Sequence, residues 1–397
     1  MLLCVGSLSV ISGATIAPAL PGIEGHFSQS PHAPLLARLV LTAPALAIAI
    51  MAPIVGIMID RTGRRGLLLF ATFIFGVVGM SGLLLNDIYA LIGSRIILGF
   101  TVAATMTICA ALIGDYYAGE DRARLFGIQT AVQGIAGLVF TVLGGMLAEI
   151  DWRTTFALYT FAFLIFPGVY KFLPEPERNV PLQKNDEQKP SDPVDGWTSQ
   201  GVVPKERQKH REISARNIML GLFVVAFFNS ACFFLLPTQI PFLLRQLGER
   251  SPTMAGLAIG ITTISMTISS LSYGKIRRNF DGGQIFIFAL WVMASGFVIV
   301  GLANHAVFVF VGTAIIGCGM GMFTPNLILA IMATATEKNR GRVASGMTSS
   351  LFLGQFISPI IIHPLLTAVG TSYAFISVAM GLLFLSGIMT TIYIIRK

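Results

Sequence analysis

Apolar residues along this chain fall into runs of about twenty, the length needed by a helix crossing roughly 30 Å of hydrocarbon, and short polar punctuation separates the runs. Each run is read as a membrane-spanning helix. In the first half the predicted spans are Leu2 to Leu20, Leu35 to Ile59, Gly66 to Leu85, Ile88 to Gly114, Leu125 to Leu147 and Thr154 to Phe172. In the second half they are Ile218 to Leu243, Met254 to Tyr273, Gln284 to Leu302, Val307 to Met332, Val343 to Leu366 and Tyr373 to Ile395. The one long polar stretch, Leu173 to Ala215, is rich in Lys, Glu, Asp, Gln and Pro and reads as a solvated linker. The expected organisation is therefore an amino-terminal six-helix bundle (1–173), a cytoplasmic linker (174–215) and a carboxy-terminal six-helix bundle (216–397). The first run lacks a basic leader and is followed by many equally apolar runs, so it is read as a span and not a cleaved signal. It starts almost without a lead-in, which leaves open a natural start further upstream.

Composition agrees with a lipid solvent: 54% of residues are hydrophobic and 12% charged, outside the range of soluble globular domains. The net charge of +8 raises the question of nucleic acid, and the placement of the basic residues answers it. With the amino terminus inside, the inner segments collect Arg61, Arg64 and Arg65, then Arg122 and Arg124, the linker cations, Lys275, Arg277 and Arg278, Lys338, Arg340 and Arg342, and Arg396 and Lys397. Outer connections keep only Arg38, Arg153, Arg245 and Arg250 of the 27 basic residues, and Arg95 lies inside a span. Such a bias sets both termini in the cytoplasm of a bacterial-type inner membrane and leaves no stripe for nucleic acid. Cys4, Cys109, Cys232 and Cys318 sit apart in apolar runs, as small buried hydrophobes do.

The halves are related. A gapless shift of 218 residues brings Gly56 onto Gly274, Gly99 onto Gly317, Arg122 onto Arg340 and Arg124 onto Arg342. Parallel repeats with a site between them near the midplane are a transporter plan.

Between the second and third spans, Gly56, Asp60, Arg61, Gly63, Arg64 and Arg65 form a short charged turn. Three arginines alone would mark a positive-inside loop. The acid and two glycines add specificity: Gly56 permits close helix approach, Gly63 a sharp turn, and Asp60 can act on helix ends or the nearby arginines.

At this loop the chain resembles the major facilitator superfamily, whose G-x-x-x-D-R-x-G-R-R signature these residues match. The resemblance extends to Ala17 to Pro21, to Arg95 with Gly99, and to Trp152 and Arg153 with Phe156. It implies an all-α fold of twelve transmembrane helices in two bundles, similar to the drug/proton antiporter-like branch. It also implies that the loop latches a gate, its acid acting at the start of the eleventh helix and its arginines on an acid closing the fourth, where Asp115 stands.

Arg95 is the one charge well inside a span, about 10 Å along its helix, where an arginine costs roughly 2.5–3.5 kcal/mol. Two readings stay open: snorkelling to the outer interface, or a cavity-facing cation that holds an anion or modulates proton movement. None of the 19 Asp and Glu lies mid-span, so the acidic proton carrier of many drug-exporting relatives is missing. His363 is the alternative proton carrier, imidazole being a side chain suited to proton exchange; a lone histidine at a helix end is more often interfacial. In the fifth span the relatives' G-P-x-x-G-G falls on residues 140–145, keeping Gly144 and Gly145 for close packing and lacking Gly-Pro. Gln129, Gln133, Asn229, Gln239, Asn326 and Gln355 either bond neighbouring helices, at around 0.6 kcal/mol each, or together line a cavity for a polar substrate.

The function expected is alternating-access transport of a small organic solute: proton-coupled export of a metabolite, drug or siderophore-like anion, with uptake by symport as the alternative. A non-transporting solute sensor is the reading from another class. The chain has no P-loop, H-E-x-x-H, G-x-S-x-G or metal-spaced cluster, so no enzyme, cofactor or metal is expected. The expected partners are the substrate, protons and the bilayer, and the expected assembly is a monomer.

Overall fold

A computed structural model describes residues 1–175, 205–336 and 339–395, without the side chains at 14, 56–57, 59–62, 123, 205–215, 340, 392 and 395. Every regular element among these residues is helical. The first half comprises α1 (Leu2–Ala14), α2 (Leu20–His26), α3 (Ala33–Thr62), α4 (Arg65–Met80), α5 (Ile88–Tyr116), α6 (Gly119–Ile150) and α7 (Phe161–Phe172). The second comprises α8 (Lys205–Gln246), α9 (Pro252–Asn279), α10 (Gly282–Gly301), α11 (Ala306–Ala333) and α12 (Arg340–Ile395). Eleven described segments are long and apolar enough to cross a membrane. The chain is thus an all-α membrane protein.

Local chemistry explains where the helices depart from the predicted spans. Pro18 and Pro21 remove amide donors, so the first run continues past Ala14 as a 3₁₀ turn at Ala17–Ala19 and then α2. Asp151 accepts the Arg153 amide at 2.7 Å and starts a 3₁₀ stretch, Trp152–Thr160, ahead of α7. Asp87 caps α5 by accepting from the Tyr89 and Ala90 amides. The helix expected from Ile218 begins at Lys205, inside the predicted linker, whose residues 176–204 lie outside the described ones. Arg340–Ile395 runs as two helices that meet at Gly370, with φ 81° and ψ 172°, a conformation that only glycine adopts without strain.

Both faces of the packing follow from lipid as solvent. Large apolar side chains such as Phe70, Leu164 and Phe384 point outward, where hydrocarbon accepts them, while backbone polar groups are satisfied within helices. Inside, α1 is enclosed against α5 and α6, with Leu8, Ile11 and Ile16 fully buried. The halves meet along α6 with α9 and α3 with α12. Glycine makes those seams possible: a Cβ at Gly144 would strike the Thr15 carbonyl of its own half, and one at Gly145 would lie 2.6 Å from the Pro252 carbonyl of the other. Adjacent glycines thus serve one seam within the bundle and one between bundles.

Candidate functional site

The turn joining α3 to α4 marks one end of the molecule, here termed the loop face. Gly63 takes φ 90° there, and the chain reverses into α4. The first amides of α4 have no cap from Arg64; the Glu175 carboxylate supplies one by accepting from the Arg64 and Arg65 amides at 2.7 and 2.8 Å. The Arg64 guanidinium pairs with Asp115 at the end of α5 and donates to the Ala111 carbonyl at 3.4 Å. Arg65 donates to the Tyr170 carbonyl at 2.5 Å and lies over the Tyr170 ring. The loop therefore ties α3 and α4 to the ends of α5 and α7. The side chains of Gly56, Asp60 and Arg61 lie outside the described residues, so the expected contact of Asp60 with the eleventh span is not among the described contacts.

Arg95 is fully buried. Its Nη2 donates to the Val78 and Gly79 carbonyls, both at 3.0 Å, at the end of α4. Its guanidinium carbon lies 4.9 Å from the Phe156 ring centre and 5.2 Å from that of Tyr159. Neither reading from the sequence describes this arrangement: the side chain neither faces a cavity nor snorkels to the surface. It sits at the carboxy end of a helix inside the first half, where the helix-end carbonyls attract a cation although Val78 also accepts from Ser81, and aromatic faces add to that attraction. Gly79 makes room, since a Cβ there would collide with the Tyr159 ring.

The neutral polar residues do not line one cavity, a correction to the reading that treats them as a set. Gln133 donates to the Gly6 carbonyl at 3.0 Å, and the Gln129 amide lies over the same glycine. Asn326 accepts from the Tyr273 hydroxyl at 2.9 Å and donates to the Gly282 carbonyl at 2.8 Å, fixing α11 against α9 and α10. Buried amides hydrogen-bond the nearest backbone or hydroxyl group, and these have done so within their own halves. Asn229 is buried with its Oδ1 unpartnered, and Gln355 and His363 are half-buried on α12. Gln239 is fully buried at the opposite end of the molecule, the far face.

At that face Gln239 meets a residue the sequence placed in an outer connection. Arg38 lies one turn into α3 and is 7% exposed. Its Nη1 donates to Glu24 of α2 at 3.3 Å and to the Pro34 carbonyl, and its Nη2 donates to Gln239 Oε1 at 3.5 Å. The guanidinium carbon stands 4.2 Å from the Phe242 ring centre. Glu24 belongs to the first half, Gln239 and Phe242 to the second, so one arginine reaches across the seam. The signal in the sequence was an arginine three residues inside an otherwise apolar run. Beside it, the Ser251 hydroxyl donates to Glu149 at 2.5 Å, again between halves, and Trp152, Glu149, Arg245 and Arg250 help line a cavity of about 430 Å³.

Comparison with known proteins gives this architecture its family. A Bacillus subtilis (strain 168) protein named "Uncharacterized MFS-type transporter YdgK" is 24% identical over 376 residues, covering 90% of this chain and 87% of its own. The Escherichia coli "Tetracycline resistance protein, class C" is 23% identical, covering 92% and 89%. Among solved structures, a bacterial homolog to the human lysosomal transporter Spinster, in an inward-facing and occupied conformation, superposes with a TM-score of 0.73 at 16% identity, over 98% of this chain and 96% of that one. A family profile described as Major Facilitator Superfamily matches residues 2–279 and 222–397. With its span pattern, paired halves and arginine loop, and with that match along nearly its whole length, the chain belongs to the Major Facilitator Superfamily, a family of transporters and not of enzymes.

Proposed function

We propose that this protein is a secondary active transporter that exports a small organic metabolite, drug or anion in exchange for protons, by rocking of two six-helix halves. Membership of the family carries the transport reading. A Bacillus subtilis (strain 168) relative named "Bacillibactin exporter" supports export over uptake. Twelve crossings follow if Gly370 divides two spans: 56 residues at 1.5 Å each make about 84 Å, more than twice the hydrocarbon thickness. With twelve crossings and the arginine-rich connections inside, both termini are cytoplasmic, and residues 1–173 and 216–397 are the moving bodies on either side of the 174–215 linker. The protein works as a monomer in the inner membrane, with the solute, protons and lipid as its partners.

In this state the far face is closed by Arg38 and by Glu149 with Ser251, while Arg64 and Asp115 hold the loop within the first half. Asp60 belongs to that latch, together with Gly56, Arg61, Gly63 and Arg65. Of the polar residues, Asn229, Gln239, Gln355 and His363 are the ones left for substrate or proton contact; Arg95, Gln129, Gln133 and Asn326 shape the helices that carry them.

Flux into proteoliposomes tests the reading. With labelled tetracycline as probe, proton exchange drives accumulation in acid-inside vesicles, beyond that in protein-free vesicles, and nigericin abolishes it. Accumulation in alkaline-inside vesicles instead would establish symport, and none under either gradient, for tetracycline or riboflavin, would count against transport of such solutes.

A further inference from the structure

Two hydrogen-bond donors are left over at the far face. Arg38 Nε and Gln239 Nε2 are both buried and both without a partner, and the two side chains touch. Neither group can accept a proton from its surroundings; each needs an acceptor. The acceptor already present, Glu24, engages one guanidinium nitrogen through one oxygen at 3.3 Å. That is longer than the 2.7–2.9 Å of a well-formed charge-assisted pair, and it lacks the bidentate form that arginine and carboxylate favour. The edge of the guanidinium formed by Nε and Nη2 is engaged only by the 3.5 Å contact to Gln239.

A cavity lies beside this group. Glu24 and Phe242, the two side chains that cover Arg38, also form part of the wall of a cavity of about 360 Å³ on the far face, together with Arg245 and Gln246. Its size lies in the range that holds small organic ligands. A second cation, Arg245, stands on this wall and on that of the neighbouring cavity.

We propose that Arg38 and Gln239 form a binding site for the carboxylate of a small organic anion at the outer end of the seam, with Glu24, held on the other nitrogen Nη1, as a neighbouring like charge that weakens the ligand's hold. The ligand carboxylate takes the Nε and Nη2 edge of Arg38 and the free amide hydrogens of Gln239, and its apolar body lies against Phe242. Because Gln239 and Phe242 belong to one half and Arg38 and Glu24 to the other, binding at this site changes what holds the far face shut. The proposal rests on the transport reading for its purpose, and on the geometry alone for its existence.

Calorimetric titration of the full-length protein in lipid nanodiscs tests it, with benzoate as probe and benzamide as its neutral match in shape. Benzoate binds the wild type and benzamide does not. Glu24→Gln, which removes the like charge beside the site, tightens benzoate about tenfold. Arg38→Gln abolishes binding, and Arg38→Lys, which keeps the charge and loses Nε, weakens it at an unchanged thermal midpoint. Equal binding of benzoate and benzamide, benzoate binding that survives Arg38→Gln, or no tightening in Glu24→Gln would each overturn the site. Tetracycline flux measured on the same variants in proteoliposomes separates the two claims: binding as described without gradient-driven flux refutes the transport reading alone, and flux with benzoate indifferent to Arg38 refutes the site alone.

Discussion

In the first half Gly99 of α5 rests on α3, where a Cβ would strike the Pro44 carbonyl and come within 2.7 Å of Ala47 Cβ. Gly317 of α11 rests on α9 in the same way, against the Thr262 carbonyl and, at 3.0 Å, the Ser265 side chain. All three positions are related by the shift of 218 residues. The loops repeat too: Glu175 caps the start of α4, and its counterpart Tyr393 donates at 2.6 Å to Asp281, which caps the start of α10. Among the described residues, the buried charges do not repeat. Where Arg95 fills the first half beside Phe156 and Tyr159, the second has Thr313, bonded to its own helix at the Phe310 carbonyl, and a dry stack of Phe297 on Phe375. Small residues that set helix distance are kept in both halves because the backbone geometry demands them, whereas buried charge is confined to the half that has partners for it.

Overpacking the glycine contacts breaks the comparison most severely. Gly99→Val and Gly317→Val are each expected to cost about 3 kcal/mol, read as loss of monodisperse protein in detergent. A tolerant Gly317→Val beside a lethal Gly99→Val would show that the repeat in geometry is not a repeat in energetics. Arg95→Met comes next: the Gly79 carbonyl loses the guanidinium and the Val78 carbonyl keeps only its Ser81 donors, at a net cost of about 2 kcal/mol for the two charge-assisted bonds, while Thr313→Val changes the thermal midpoint little. Equal midpoints for the two variants would remove the asymmetry.

Glu175→Ala and Asp281→Ala sharpen the loop comparison, each expected to cost about 1 kcal/mol as lost helix caps and to speed hydrogen exchange at the first amides of α4 and α10 respectively. The smallest effect is that of Tyr393→Phe, about 0.5 kcal/mol, confined to exchange at the start of α10.

The all-α membrane organisation and the glycine contacts of the repeat were legible in the sequence because each depends on local facts: run length and glycine spacing. Prolines 18 and 21 were equally visible, and the break in the first span follows from them. The polar residues were not legible as a site. Sequence gives the depth of Gln133 or Asn326 in a helix and not the carbonyl each will find, so of the six amides read as one lining Gln133 and Asn326 serve packing contacts and Gln239 the seam. Arg38 was misplaced for a related reason: one turn into a helix, an arginine either snorkels or is buried, and the choice is made by Glu24 from a preceding helix and Gln239 from the other half. Arg95 shows the same limit, since its partners Val78, Gly79, Phe156 and Tyr159 come from two other segments.

The central claim is that the halves rock, opening one face as they close the other, and pulsed electron-electron resonance on spin-labelled protein in nanodiscs tests it most directly. In a background with the four native cysteines replaced, one label pair at Ser28 and Gln246 reports the far face, and a second at Asp121 and Asn279 reports the loop face. The account predicts two populations whose distances are anticorrelated between the pairs, with Arg38→Gln increasing the population in which the far face is open. A single distance at each face, unchanged by pH, tetracycline or Arg38→Gln, would contradict it.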